Sequence, residues 1–242
     1  MMNIKTILDR ALFALSVPKC ICCRKRLNYG ELAFCPECYA EFEENKSRNC
    51  SFCARKLNEC DCSNEFLRAH FVKRVIKCYR YLIRDTVMPG NSLIYSLKRD
   101  NRSDVLNTCV DELSTAILNS IDDPSAYIFT NVPRRKSAIV EFGIDHSAML
   151  SKALAKRFGA EYIQILSSKA KSEQKKLETE ERFRNADFYI SKNMDLTGRE
   201  VIIVDDIITT GASISKAASL IRSLGAKSII AATLAIAYRD DI

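Results

Sequence analysis

Apolar positions in this chain follow two rhythms, and the places where one gives way to the other mark its elements. Val201, Ile202, Ile203 and Val204 form an unbroken β-branched run. Such a run suits a strand covered on both faces of a parallel sheet, whereas a strand with one wet face alternates. Ala126 to Val132 and Glu161 to Leu166 read as two further strands. From Ser213 to Leu224 the spacing changes: Ile214, Ala217, Ala218, Ile221 and Leu224 fall on one side of a helix, and Gly225 follows as a stop. A second helix opens at Gly143 to Ser147 and runs to Phe158, with Gly159 after it. Alternating strands and helices predict an α/β fold, a parallel sheet flanked by helices.

Cysteine placement divides the chain. Of eleven cysteines, nine fall between residues 20 and 62, and only Cys78 and Cys109 lie beyond. Cys20 and Cys23, Cys35 and Cys38, and Cys50 and Cys53 are spaced as zinc knuckles, and Cys60 with Cys62 makes a fourth pair. Eight thiolates suffice for two tetrahedral Zn²⁺ sites. Pairing neighbours puts residues 20, 23, 35 and 38 on one ion and 50, 53, 60 and 62 on the other; an interleaved arrangement is the alternative, and Cys22 could replace a neighbour. A segment this small and hydrophilic needs such a staple to fold.

Three parts follow: a cysteine-rich zinc-binding module at 1–62, a basic connector and hood at 63–102, and the α/β domain at 103–242. At 242 residues and 47% hydrophobic content there is room for one α/β domain and a smaller module. Residues 3–17 suit a short amphipathic helix, and no run is long enough to span a membrane. A cytoplasmic, reducing compartment is the expectation, with the cysteines as metal thiolates.

The chain carries a formal net charge of +7, and the excess is local: residues 63–102 hold nine lysines and arginines against three acidic residues. Phe66, Phe71, Tyr79 and Tyr81 interleave with these cations, a combination that suits single-stranded nucleic acid, with Lys73, Arg74 and Lys77 as contact points. A solvated strand and helix face is the plainer alternative.

The candidate chemistry sits where the buried run meets Asp205 and Asp206, followed by Thr209, Thr210, Gly211, Ala212 and Ser213 at the start of a helix. Glycine lets backbone approach a phosphate, hydroxyls donate to it, and a helix N-terminus favours an anion. The two carboxylates accept hydroxyl hydrogens or hold a divalent cation. A sugar phosphate satisfies both halves at once. After the strand at 126–132, Val132, Pro133, Arg134, Arg135 and Lys136 place three cations at a strand end, suited to a pyrophosphate.

Residues 201–213 resemble the phosphoribosyl pyrophosphate signature of the type I phosphoribosyltransferases at every position. The resemblance implies that Asp205 and Asp206, the catalytic candidates, bind the ribose 2′ and 3′ hydroxyls. Thr209 to Ser213 would cradle the 5′-phosphate, with Mg²⁺ on the substrate. Tyr79 through Lys98, Val132-Pro133, Gly143 to Ser147, Gln174 with Leu177, and Arg182 with Asn185 extend the likeness to the ComF family, which joins a zinc module to a phosphoribosyltransferase domain.

That likeness implies a flexible hood loop at 168–185, where Lys175, Lys176 and Arg182 would close over pyrophosphate. It also implies a role in natural transformation, with single-stranded DNA and a competence helicase as partners. One departure stands out. The family usually has Arg-Gly-Phe-Asn-Gln where this chain has Phe142, Gly143, Ile144, Asp145 and His146, so a cation is missing and a histidine replaces an amide. His146 either caps and packs the helix start or takes part in chemistry.

Overall fold

The computed structural model describes residues 17–82, 88–100, 102–134, 139, 143–168 and 188–238. The helix expected at 3–17 lies outside them except for Val17, as does the hood loop except for Ser168. Arg135, Lys136, Lys175, Lys176 and Arg182 are also outside.

Five strands form a parallel sheet. β1 (Val72–Leu82), β2 (Ile128–Asn131), β3 (Glu161–Tyr162), β6 (Glu200–Ile208) and β7 (Ser228–Tyr238) stand in the order β1-β7-β6-β2-β3. β6 is central, and its faces explain the unbroken apolar run. Ile202 and Val204 join one core with Leu113, Ile117, Leu150 and Leu154; Val201 and Ile203 join the other with Ile214, Ala217 and Ile221. Helices α4 (Ser103–Leu118) and α5 (His146–Phe158) cover the first face, and α6 (Ala212–Ser223) covers the second. Asp145 caps α5 by accepting from Ala148 N at 3.0 Å, and Gly159 ends it in a left-handed conformation at φ 65°.

Two sequence expectations change. The single strand at 161–166 is two short ones: β3 joins the main sheet, while β4 (Leu166–Ser168) pairs antiparallel with β5 (Phe188–Ile190) in a separate two-stranded sheet. The buried strand does not stop at Val204 either. It continues to Ile208, so Asp205 and Asp206 are strand residues.

The segment 63–102 supplies the edge strand of the same sheet. β1 pairs with β7 from Val72–Ile229 to Leu82–Tyr238. After it, α3 (Pro89–Arg99) packs its buried Leu93, Ile94 and Leu97 into the core that α4 shares.

The cysteine region is an internal repeat thirty residues apart. Cys20 N donates to Lys25 O and Arg24 N to Cys20 O; Cys50 N donates to Arg55 O and Ala54 N to Cys50 O. Arg24 and Ala54 both adopt positive φ, 66° and 57°. Leu27 and Leu57 close the two turns, with bonds to Pro18 O and Arg48 O. The repeat is visible in the sequence as Cys-x2-Cys, one further residue (Arg24 or Ala54), two basic residues and a leucine, a signal that cysteine spacing alone passes over. The first unit shares its core with the sheet: Cys20, Cys35, Phe34 and Phe42 pack in one cluster with Tyr79. Helix α1 (Pro36–Ser47) is tied to α4 by a Lys46–Glu112 pair at 2.6 Å. The second unit has its own small core of Cys50, Leu57 and Cys60. Among the described residues no helix is long and apolar enough to cross a membrane.

Candidate functional site

The carboxylates come from the carboxyl end of β6, where a parallel sheet directs its ligands. Asp206 is buried and pairs with Lys98 Nζ of α3 at 2.8 Å. Asp205 Oδ1 accepts from Asp206 N at 2.9 Å. Burial, and then the neighbouring charge of Asp206, hold the Asp205 carboxyl well above the usual carboxylate value, while Lys98 and Arg134 act in the opposite sense. Two adjacent acids, one of them resisting ionisation and both facing cations from other elements, set hydrogen-bond acceptors side by side at the strand end, an arrangement that suits a diol.

The Val132 loop brings Arg134 to the same place. Ser147 Oγ donates to Val132 O at 3.2 Å, and Val132 N donates to Val204 O at 3.1 Å, so the loop is held on β6 and α5. Val132 and Pro133 are buried. Arg134 Nη1 stands 2.6 Å from His146 Nδ1. A guanidinium only donates, so His146 accepts and is the neutral Nε2–H tautomer. Burial, then the charge of Arg134, push its pKa below the ordinary histidine value. His146 is 1% exposed and sits behind Arg134, which is a positioning contact.

Beyond Ile208 the chain turns at Thr209 and Thr210, both exposed, and enters α6 through Gly211 at φ 80° and ψ 0°. Thr210 Oγ1 accepts from Ala212 N at 3.3 Å. Ala212 is half-buried and Ser213 exposed at the first turn of α6. Gly211 is required twice over. Its left-handed backbone disfavours a side chain, and a Cβ there would lie 2.9 Å from Leu67 Cδ2. Leu67 belongs to α2 (Glu65–Ala69), so the chain leaving the second cysteine unit backs this turn.

The eight cysteine ligands gather as neighbours: Cys20, Cys23, Cys35 and Cys38 in one group, Cys50, Cys53, Cys60 and Cys62 in the other, with all ligand atoms of each group within 4.8 Å of one another. Each group could hold a zinc ion. A tetrahedron with Zn–S bonds of about 2.3 Å has edges of about 3.8 Å, and the Cys23–Cys35 and Cys53–Cys60 sulfurs are 3.6 and 3.4 Å apart. The second group is also solvated by the protein. Phe52 N and Cys62 N reach Cys50 Sγ and Cys60 Sγ at 3.4 Å, and Lys77 Nζ reaches Cys60 Sγ at 3.2 Å.

Lys77 therefore cannot serve a nucleic-acid strand. It is 2% exposed and also bonds the carbonyls of Cys60, Cys62 and Val75 at 3.2 Å each. Arg74 is engaged by Asp61 at 2.6 Å and by Ser120 O. Tyr79 is fully buried, whereas Lys73, Phe66 and Phe71 remain exposed. Local basic density showed that cations were present but not that the fold consumes two of them internally. Lys98 is the reverse case: the sequence counts it among the basic residues, and only the packing of α3 turns it toward Asp206.

Similarity to a known family falls on the second half of the chain. The model of the phosphoribosyl transferase domain family matches residues 117–241. Ribose-phosphate pyrophosphokinase 2 of Archaeoglobus fulgidus is 54% identical over 41 residues, 17% of this chain and 15% of that protein. The ribose-phosphate pyrophosphokinase of Saccharolobus solfataricus is 52% identical over 42 residues, 17% of this chain and 14% of that one. The matched stretches thus span about one seventh of these relatives. Among solved structures, a purine phosphoribosyltransferase from Pyrococcus horikoshii aligns at 19% identity and TM-score 0.37, covering 54% of this chain and 73% of that chain. A hypoxanthine-guanine phosphoribosyltransferase from Bacillus anthracis aligns at 19% identity and TM-score 0.37, covering 54% and 68%. With the family match extending over more than half of its length, this chain belongs to the phosphoribosyl transferase domain family.

Proposed function

We propose that the chain binds phosphoribosyl pyrophosphate with Mg²⁺ at the end of β6 and transfers the phosphoribosyl group to a nitrogen acceptor, releasing pyrophosphate. One observation carries the reading: a carboxylate pair, Asp206 buried and Asp205 half-buried, flanked by Lys98 and Arg134, runs within a few residues into a turn closed by a left-handed glycine at a helix start. Asp205 and Asp206 accept from the ribose hydroxyls. The hydroxyls and first amides of 209–213 donate to the 5′-phosphate. Lys98 and Arg134 offset charge on the departing pyrophosphate, joined by Arg135, Lys136, Lys175, Lys176 and Arg182 from outside the described residues. Mg²⁺, bound with the substrate, would neutralise further pyrophosphate charge.

The acceptor nitrogen forms its bond to C1′ as the C1′–O bond breaks and pyrophosphate leaves with the electron pair. Catalysis by this chain is then positioning plus charge stabilisation of an oxocarbenium-like state. The two cysteine clusters suit structural zinc. A ComF-like protein would have this composition.

The test is a calorimetric titration of the zinc-loaded protein with phosphoribosyl pyrophosphate and Mg²⁺, beside Asp205→Ala/Asp206→Ala, together with pyrophosphate release against a panel of bases and amines. Hydrogen bonds to charged groups contribute about 1.5–3 kcal/mol each, so the double variant should bind about 100-fold more weakly or worse. No binding by the wild type would end the reading.

A further inference from the structure

The two cysteine units are held in different ways. The first is built into the main core, where Cys20 and Cys35 pack with Phe42 and Tyr79. The second has a small core of its own, made of Cys50, Leu57 and Cys60 with Cys53 and Cys62 against it. So little apolar surface makes metal at the four thiolates a large part of what folds this unit. Between it and the candidate phosphate turn lies a cavity of about 810 Å³, bordered by Cys50, Phe52 and Cys62 on one side and by Thr209 and Thr210 on the other. Leu67 of α2 also borders the cavity and joins its two sides.

The route from metal ligand to turn is short and hydrogen-bonded at each step. Cys62 is the last thiolate of the second group, and its carbonyl accepts from Lys77 Nζ at 3.2 Å. Ser63 is 4% exposed; its Oγ donates to Val72 O at 2.7 Å, and its carbonyl accepts from Arg68 Nη1 at 2.6 Å. Asn64 Oδ1 accepts from Leu67 N at 2.8 Å and so caps α2. That helix has five residues, far too few to persist on its own hydrogen bonds. Its ends therefore set its place: the ligand Cys62 before it, and after it Phe71, which leads into β1 with a left-handed φ of 70°. Leu67 shares one core with Ile208 and Ile214, which flank the turn, and lies so near Gly211 that a Cβ there would stand 2.9 Å from it. A glycine has many backbone conformations open to it, so the one adopted here needs a support, and Leu67 supplies it.

We propose that Leu67 is a positioning residue for the sugar-phosphate turn and that metal at Cys50, Cys53, Cys60 and Cys62 holds it there, so that metal at this cluster and phosphoribosyl pyrophosphate at the turn strengthen each other's binding. The inference rests on the phosphoribosyl pyrophosphate reading and gives the second metal site a task beyond stapling its own fold. Without the ion, Cys62 is released, α2 loses one anchor, and the ligand must itself order the turn at the expense of its affinity. The effect is reciprocal by thermodynamic linkage. The first cluster packs into the core on the other face of the sheet from Leu67 and the turn, so it is an internal reference.

The full chain, loaded with zinc at both clusters, is titrated with a chromogenic zinc chelator with and without phosphoribosyl pyrophosphate and Mg²⁺. Cys60→Ser, which keeps the first ion alone, identifies the signal of each. Coupling of ordinary size predicts that the ligand raises retention of the second ion about fivefold or more and shifts the first by less than about twofold. In Leu67→Ala both ions should still bind, but the rise at the second should shrink to less than about twofold. That ratio, taken with and without ligand in one protein, is not moved by a uniform loss of stability, and the wild-type comparison stands by itself should Leu67→Ala not fold. Unchanged retention in the wild type, an equal rise at both ions, or a rise that survives in Leu67→Ala would overturn the inference, while calorimetric binding of the ligand keeps the sugar-phosphate reading in place. Absence of that binding removes the reading, and the inference with it.

Discussion

Replacing Gly211 with alanine loads the turn at two points. The backbone there has φ 80° and ψ 0°, a left-handed conformation that costs a residue with a Cβ about 1–2 kcal/mol. The added Cβ would also stand 2.9 Å from Leu67 Cδ2 and 3.1 Å from Leu67 Cγ. Leu67 is 2% exposed and packed in the core beneath α6, so it has little room to swing away; overpacking of this kind costs about 1–3 kcal/mol. Together the two effects destabilise by about 2–5 kcal/mol, against a typical domain stability of about 5–15 kcal/mol.

Guanidinium unfolding of the zinc-loaded protein, followed by circular dichroism, reads the loss. Leu67→Ala separates the contributions. Alone it should cost about 2–5 kcal/mol. Combined with Gly211→Ala it removes the clash, so the double variant should be more stable than the sum of the singles by about 1–3 kcal/mol. A Gly211→Ala loss below about 0.5 kcal/mol, or strict additivity in the cycle, would refute this account of how α2 shapes the turn.

Other outcomes follow from the same contacts. Because the folded-state pKa of Asp205 is raised, the stability it contributes is complete below its unfolded value of 3.8 and is lost as pH rises through the folded value. Wild type measured against Asp205→Asn should therefore lose relative stability as the pH rises above 3.8; a flat difference would contradict a raised pKa for this carboxyl. His146 has the opposite sign. Its lowered folded pKa leaves its contribution intact above 6.5 and removes it as pH falls, a trend that His146→Gln should abolish while its amide oxygen keeps accepting from Arg134. Lys77→Met removes the ammonium beside Cys60 and should weaken metal at the second cysteine cluster by about 10–100-fold in chelator competition, leaving the first unchanged. Equal retention at both clusters would show that Lys77 plays no part. Metal analysis should give two zinc ions per chain, falling to one in Cys23→Ser and one in Cys60→Ser.

Local patterns were legible wherever the physics is local. The unbroken run at 201–204 implies burial on both faces because β6 lies inside a parallel sheet, with Ile202 and Val204 in one core and Val201 and Ile203 in the other. The knuckles are legible because two thiolates separated by two residues already meet the geometry of one ion, and the helix at 146–158 because a capping aspartate and a terminal glycine satisfy its own ends. The extension of β6 through two aspartates was not legible. Strand propensity argues against them, and only pairing with β7, which runs to Ile208–Ile236, holds them extended.

Long-range contacts carry no periodic trace in sequence, and they decided the rest. Lys98 and Arg134 meet Asp205 and Asp206 because α3 and the loop after β2 converge on one strand end. Lys77 is withdrawn from solvent because the second cysteine unit folds back onto β1, and the same packing leaves a cavity between Phe52 and the phosphate turn. The sequence by itself determined which chemical groups are present and the short-range shapes they adopt, since propensity, capping and metal spacing act over a few residues. The tertiary structure alone decided which cations remain available, which charge state Asp205 favours, and which surfaces share a wall, because burial and pairing depend on neighbours brought from tens of residues away.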